Sequence, residues 1–385
     1  MKIEIDKNAE FIIKKLNSRG FSAYAVGGAV RDFLLSREVF DTDITTDATP
    51  DEIKSVFSSF RTADTGIKHG TVTVIKDLKP YEITTFRSES GYRDSRHPDR
   101  VVFETDIKKD LSRRDFTVNA MAYSDETGII DPFFGQEDLK NRIIRTVGDA
   151  DKRFSEDALR ILRGLRFASE LGFSVEEKTY KAMKNNVEKI SLLSKERVYT
   201  EISKMLTGRY ACRTVTLYKD LIKKIMPLSD NIKSLDRLPY DKGMRFACAC
   251  GKKAEEFLVS LKADTKTKTH AKMFSEDTEI FSDIYKAKKF VSEKGRENAE
   301  DIALYRKTVF NENTEILKLA SETSDCVSIK ELDINGDDLK KIGITGKRTG
   351  DILYALLNDV IFGKTENRKE VLLNRAKVID KTDIV

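Results

Sequence analysis

The stretch that most constrains this chain runs from Gly27 to Asp43 and reads GGAVRDFLLSREVFDTD. A pair of glycines follows the apolar run FSAYAV (21–26), which reads as a strand, and Ala29 to Leu35 then reads as a helix. Glycine at a strand end lets the backbone pass close to a phosphate, and the helix start adds free N–H groups and the positive end of its dipole. Asp41, Thr42 and Asp43 lie in a second strand, VFDTDITT, where alternate side chains share a face. Both carboxylates then point the same way, about 6–7 Å apart along the backbone. Two oxygen donors so placed can hold one or two Mg²⁺ ions beside a triphosphate. Taken singly, a Gly-Gly pair is an ordinary turn and an Asp-x-Asp an ordinary solvated strand edge. Together, with Arg31 and Gly28 between strand and carboxylates, they point to a phosphate-handling site.

A chain of 385 residues has room for roughly two to four domains, each with its own core. Charged residues make up 35% of it, and no apolar run approaches the ~18–20 residues that cross a bilayer, so no membrane partner is expected. The N-terminus, MKIEIDKNAE, lacks the apolar segment of a signal peptide, which makes the cytoplasm the expected compartment. Cys212, Cys248, Cys250 and Cys326 lack zinc spacing and read as buried thiols. His69, His97 and His270 are the only histidines and lie far apart, which excludes an HxxxHD phosphohydrolase and argues against histidine acid–base catalysis. The net charge of +5 is compatible with RNA without demanding it.

Phe11, Ile12 and Leu16 have helical spacing within residues 7–19, and Gly20 marks the stop. Thr49-Pro50-Asp51-Glu52 is a capping box with proline at the first helical position, opening a helix to Phe60. TVTVIK (71–76) and YEITTFR (81–87) alternate and form a hairpin across Asp77–Pro80. Glu82, on the second of these strands, is either a third carboxylate for the metal site or an ordinary exposed strand glutamate. Residues 88–100, polar and without periodicity, read as a loop. Two adjacent arginines open RRDFTVNA (113–120); they are costly in a core and suited to clamping a triphosphate.

After Asp149 the chain reads as helix almost throughout. Residues 154–167 (FSEDALRILRGLRF) place Asp157, Arg160, Arg163 and Arg166 three apart, along one slowly drifting helical face. Spacing alone fits an ordinary salt-bridged amphipathic helix.

GGAVRD with DTD, RRDFTVNA and the EDALR of this helix together resemble the motifs of the class II tRNA nucleotidyltransferases, a branch of the DNA polymerase β superfamily. The resemblance implies an α+β chain: a small nucleotidyltransferase head with a mixed sheet (1–138), then an all-α neck (139–205), body (206–320) and tail (321–385). It implies Asp41 and Asp43 as catalytic Mg²⁺ ligands. Gly28, Arg31 and Arg114 would hold triphosphate and ribose, with Asn119 reaching the sugar, and Asp131–Gly135 would be the head–neck hinge. Tyr92, Arg93, Asp94, Arg96 and Pro98 match a family loop that is shortened in enzymes adding only C. Lys195-Glu196-Arg197-Val198, with Glu201 and Lys204, resembles a bracing helix and reads as structural.

Asp157 and Arg160 would read the base. Cytosine and adenine each present an amino donor beside a ring-nitrogen acceptor, so a carboxylate and a guanidinium accept both. Uracil and guanine mismatch both contacts, at roughly 1–3 kcal/mol for each buried group left unpaired. Arg163 and Arg166 would hold the helix and the phosphates. The implied activity is template-independent addition of CCA to the tRNA 3′ end from CTP and ATP, with pyrophosphate released. The alternatives are an A-adding or CC-adding enzyme, a poly(A) polymerase and an inactive RNA-binding protein; IKHGTV (67–72) and the Gly-rich tail argue against the second.

Overall fold

In the computed structural model, residues 5–39, 41–90, 100–276 and 281–382 are described. Seven short strands build the head: β1 (Ala23–Val26), β2 (Asp43–Thr46), β3 (Arg61–Gly66), β4 (Thr71–Lys76), β5 (Lys79–Thr85), β8 (Ala122–Ser124) and β9 (Gly128–Ile130). Their order is β3-β4-β5-β2-β1-β8-β9, with β2 and β5 parallel and the other pairs antiparallel. This is the mixed sheet that the alternation predicts. Two further strands, β6 (Arg87–Ser90) and β7 (Arg100–Phe103), form a separate antiparallel ribbon, and β10 (Ile143–Ile144) pairs in parallel with β11 (Ser174–Val175). The expected loop is therefore strand at both ends, and Tyr92, Arg93, Asp94, Arg96 and Pro98 lie outside the described residues. β3, β8 and β9 carry too little alternation, or too few residues, to be legible in the sequence.

Helix α1 (Lys7–Asn17) buries Ala9, Ile12, Ile13 and Leu16, and Asp6 caps its first turn. Phe11, expected on that face, is 40% exposed and instead meets Phe60. Helix α2 (Gly28–Leu34) follows the glycine pair, and α3 (Pro50–Val56) starts at the capping box, where the Thr49 N–H donates to Glu52 at 2.8 Å. Helix α3 stops at Val56, short of Phe60, because Phe57 leaves helical geometry.

The expected single helix over 154–167 is two helices, α6 (Ala150–Glu156) and α7 (Leu159–Leu171). The break falls at Asp157, whose backbone is extended (φ −147°, ψ 105°). Its carboxylate accepts the Leu159 N–H at 2.9 Å, the local side-chain-to-backbone bond by which aspartate competes with helix. In chain order, α4 (Ile107–Ser112) and α5 (Gly135–Asn141) come before the break, and α8 (Glu177–Asn186) and α9 (Lys195–Leu206) after it.

One hydrophobic core runs from Ala9 through the sheet, α7 and α9 to Val327, and a separate core from Cys326 to Ala376 holds the C-terminal helices. Gly164 permits the seating of α7: a Cβ there would stand 2.9 Å from the Phe116 ring and 2.4 Å from Met183. Cys248, Cys250 and Cys326 are buried and free, and no helix among the described residues is long and apolar enough to cross a membrane.

Candidate active site

Two recesses share one residue. The first, a cleft of about 550 Å³ between sheet and helices, is lined by Gly27, Gly28, Arg31, Asp43, Arg113, Arg114, Asp115, Asn119, Asp157, Arg160, Arg163, Arg166, Phe167, Glu170 and Arg197, among others. The second is lined by Asp41, Asp43, Glu82, Asp6 and Tyr81. Asp43 belongs to both, so the expected carboxylate pair opens onto the expected basic groups.

Asp41 lies just before β2 and Asp43 begins it, yet the alternation holds: both are exposed and Thr42 between them is buried. The protein around Asp43 withdraws water from it and pushes its carboxyl above the ordinary aspartate range; Arg114 pulls it down and the like charge of Asp41 pushes it further up. Like charges held together on hard oxygen donors are the chemistry that a divalent cation relieves. Glu82 is exposed on the neighbouring strand β5 and lines the same recess. Among the described residues, however, no three His, Cys, Asp or Glu side chains come together as a group able to hold a metal.

Gly27 sits at φ 71°, ψ −125°, and a Cβ there would stand 3.0 Å from Arg114 Nη1. The backbone conformation calls for glycine at this position, and a Cβ would crowd the end of the Arg114 side chain. Gly28, by contrast, begins α2 with ordinary room around it. Arg31 donates to Asn119 Oδ1 at 2.6 Å and to both Asp32 oxygens at 3.0 and 2.8 Å. Asn119, expected to reach a sugar, thus holds Arg31.

Arg113 and Arg114 converge on Asp110, which is fully buried at the end of α4: Arg113 at 2.7 Å and Arg114 at 3.4 Å. Burial pulls the Arg114 guanidinium below its usual range while the Asp110 charge opposes, and its Nε has no hydrogen-bond partner among the described residues. Asp110 escaped the sequence reading, although its spacing of three and four before the arginines on a helix was the available signal.

On the neck side, Arg163 reaches across to Asp115 of the head at 2.7 Å. Burial would raise the Asp115 carboxyl, but Arg163 and the Phe116 N–H hold it below its ordinary value. Arg160 shares Glu156 with Arg153, at 2.7 and 2.8 Å, and Arg166 meets Glu201 on α9 at 3.1 Å. Arg197 meets Asp157 at 2.9 Å. Read from sequence as a structural brace, Arg197 lines the cleft and holds the residue expected to read a base. Glu170, also missed, is pushed up by burial on the same wall.

Three family models match along the chain: poly A polymerase head domain over residues 23–145, RNA and SrmB-binding site of polymerase A over 172–227, and tRNA nucleotidyltransferase domain 2 over 244–376. A CCA-adding enzyme from Staphylococcus haemolyticus is 36% identical over 98% of this chain and 99% of its own length. This chain belongs to the CCA-adding enzyme family. The Lactobacillus helveticus member is 50% identical over 57% of this chain and 56% of its own length. The solved Bacillus stearothermophilus CCA-adding enzyme in complex with CTP is 32% identical, covers 97% of both chains and superposes with a TM-score of 0.81. Nucleotidyltransferases of this family generally use a divalent metal ion, and the paired aspartates offer the oxygen donors such an ion takes.

Proposed function

We propose that this chain completes the tRNA 3′ end, adding CCA from CTP and ATP without a template and releasing pyrophosphate. The carrying observation is that Asp43 joins the acidic recess to a cleft walled on one side by Arg31 and Arg114 and on the other by Asp157 and Arg160. A nucleotide lying across it presents its α-phosphate to the carboxylates, its outer phosphates to the head arginines and its base to the start of α7.

Asp41 and Asp43 would hold Mg²⁺ through their carboxylate oxygens. Bound there, such an ion would supply Lewis acidity toward the terminal ribose hydroxyl and the pyrophosphate oxygens. Gly27 keeps the backbone clear of Arg114, and Arg114 together with Arg31 binds and orients the triphosphate. Asp157 accepts from the base amino group, with Arg197 fixing the carboxylate, while Arg160 donates to the ring nitrogen. Each Asp157 oxygen already accepts one hydrogen bond, from Leu159 or Arg197, and retains a lone pair for the base. Arg163 and Arg166 hold α7 to the head and to α9. We assign the head to 1–138, the neck to 139–205, and tRNA binding to the body (206–320) and tail (321–385).

The test uses three tRNA transcripts, lacking CCA, ending in C and ending in CC, with Mg²⁺ and labelled CTP, ATP, UTP or GTP, singly and in pairs. The expected result is complete CCA on all three and no U or G. Adenosine on the CC-ended RNA alone would make this an A-adding enzyme, long A tails a poly(A) polymerase, and no incorporation with tRNA still bound an inactive binding protein.

A further inference from the structure

We infer that Phe167 is a positioning residue, coupling Arg31 of the head to helix α7 of the neck so that the phosphate-holding and base-reading walls of the cleft stay in register; this rests on the reading above. The Phe167 ring is 4% exposed yet faces the cleft. Three guanidinium carbons lie over it, Arg31 at 5.3 Å, Arg163 at 5.4 Å and Arg166 at 4.4 Å from its centroid. Phe116 of the head meets it edge-on, with centroids 5.8 Å apart and planes at 84°.

Two of these arginines belong to α7 itself, so Arg31 is the informative one. Its hydrogen-bond partners, Asp32 and Asn119, are both head residues. Across the cleft, Arg31 lies over the Phe167 ring, and the charge of Glu170 on α7 adds attraction.

An aromatic face suits the task. Its negative quadrupole holds guanidinium groups together against their mutual repulsion. Unlike a carboxylate, it consumes none of their N–H donors and does not compete with an incoming phosphate. Leucine or methionine fills similar space without that field.

The test measures binding of inorganic tripolyphosphate with Mg²⁺ by calorimetry, KM and kcat for CTP, and the unfolding midpoint. The variants are Phe167→Leu, Phe167→Met and Phe167→Tyr, each with Arg31 intact and in an Arg31→Gln background. Phe167→Leu and Phe167→Met should weaken tripolyphosphate roughly tenfold and raise KM similarly, with kcat changed less, while Phe167→Tyr stays within about twofold. In the Arg31→Gln background the Leu and Met penalties should vanish.

Penalties that persist without Arg31, or Leu and Met variants that bind like the parent, would overturn the coupling. If Phe167→Leu lowers the midpoint, the better-filling Phe167→Met decides. A chain binding tripolyphosphate through both residues but extending no tRNA would overturn the tRNA reading and leave this one standing. Full CCA addition with binding indifferent to Phe167 would do the reverse.

Discussion

The surrounding protein pulls the guanidiniums of Arg114, half-buried, and Arg245, fully buried, below the usual arginine range, and their surroundings differ in kind. Arg245 spends its donors on carbonyls: Leu206 at 2.9 Å, Gly208 at 3.2 Å, Leu238 at 2.8 Å and Pro239 at 2.9 Å. It thereby caps the end of α9 and ties it to residues 238–239. Arg114 has one long contact to Asp110 at 3.4 Å, an Nε without a partner among the described residues, and a glycine opposite that leaves space beside it. A buried polar group is ordinarily satisfied, and the incompletely satisfied Arg114 lines the cleft where the proposed function places the triphosphate. On the proposed function, the same side chain serves stability in one place and binding in the other.

The largest effect that sharpens this contrast lies beside Arg114. Replacing Asp43 by Asn should lower kcat/KM for CTP addition on the order of 10³-fold, about 4 kcal/mol of transition-state stabilisation, with the unfolding midpoint little changed. Arg245→Met should do the opposite. Leaving four carbonyls without their donor costs about 3 kcal/mol or more in urea unfolding, and the folded fraction should keep its activity. Arg114→Met should cost about 10²-fold in kcat/KM and nothing measurable in stability; a stability loss matching that of Arg245→Met would erase the distinction. Gly27→Ala comes next, with about 1–3 kcal/mol of backbone strain read in unfolding and a further KM rise as Arg114 is displaced.

The smallest effect is a pH dependence far from the cleft. Asp264 accepts from the Tyr199 hydroxyl at 2.6 Å and the Thr267 N–H at 2.8 Å, and the Tyr199 bond leads in bringing its carboxyl down to about 2 from 3.8. A depressed carboxylate contributes stability fully above its unfolded value and loses it as pH falls through the folded one. The stability gap between the parent and Asp264→Asn should therefore be constant above about pH 4 and close towards pH 2. A gap that widens on acidification would contradict the assignment.

The polar landmarks of the site were legible because each rests on local spacing. Asp41 and Asp43 alternate with a buried threonine, and the glycine pair does mark the turn into α2, though Gly27 rather than Gly28 is the position whose backbone conformation calls for glycine. What lay beyond the sequence depends on pairing across the fold. Arg197 reads as any helical arginine until α9 packs beside α7 and brings it to Asp157. The break at Asp157 was hidden because the apolar residues on both sides keep helical periodicity while one side-chain bond to Leu159 ends the helix. Strands β8 and β9 are three residues each, too short for alternation to register; β8 adds to the edge of β1 and β9 to that of β8.

On the proposed function, side chains at the start of α7 replace a template. The direct measurement is the ratio of CTP to UTP incorporation on tRNA lacking CCA, for the parent, Asp157→Ala and Arg160→Met. The expected outcome is strong preference for CTP in the parent and a fall of about 10–100-fold in that preference in each variant, as the loss of one polar contact of about 1–3 kcal/mol implies. Variants that add nucleotides slowly but keep the full preference for CTP would show that the base is chosen elsewhere.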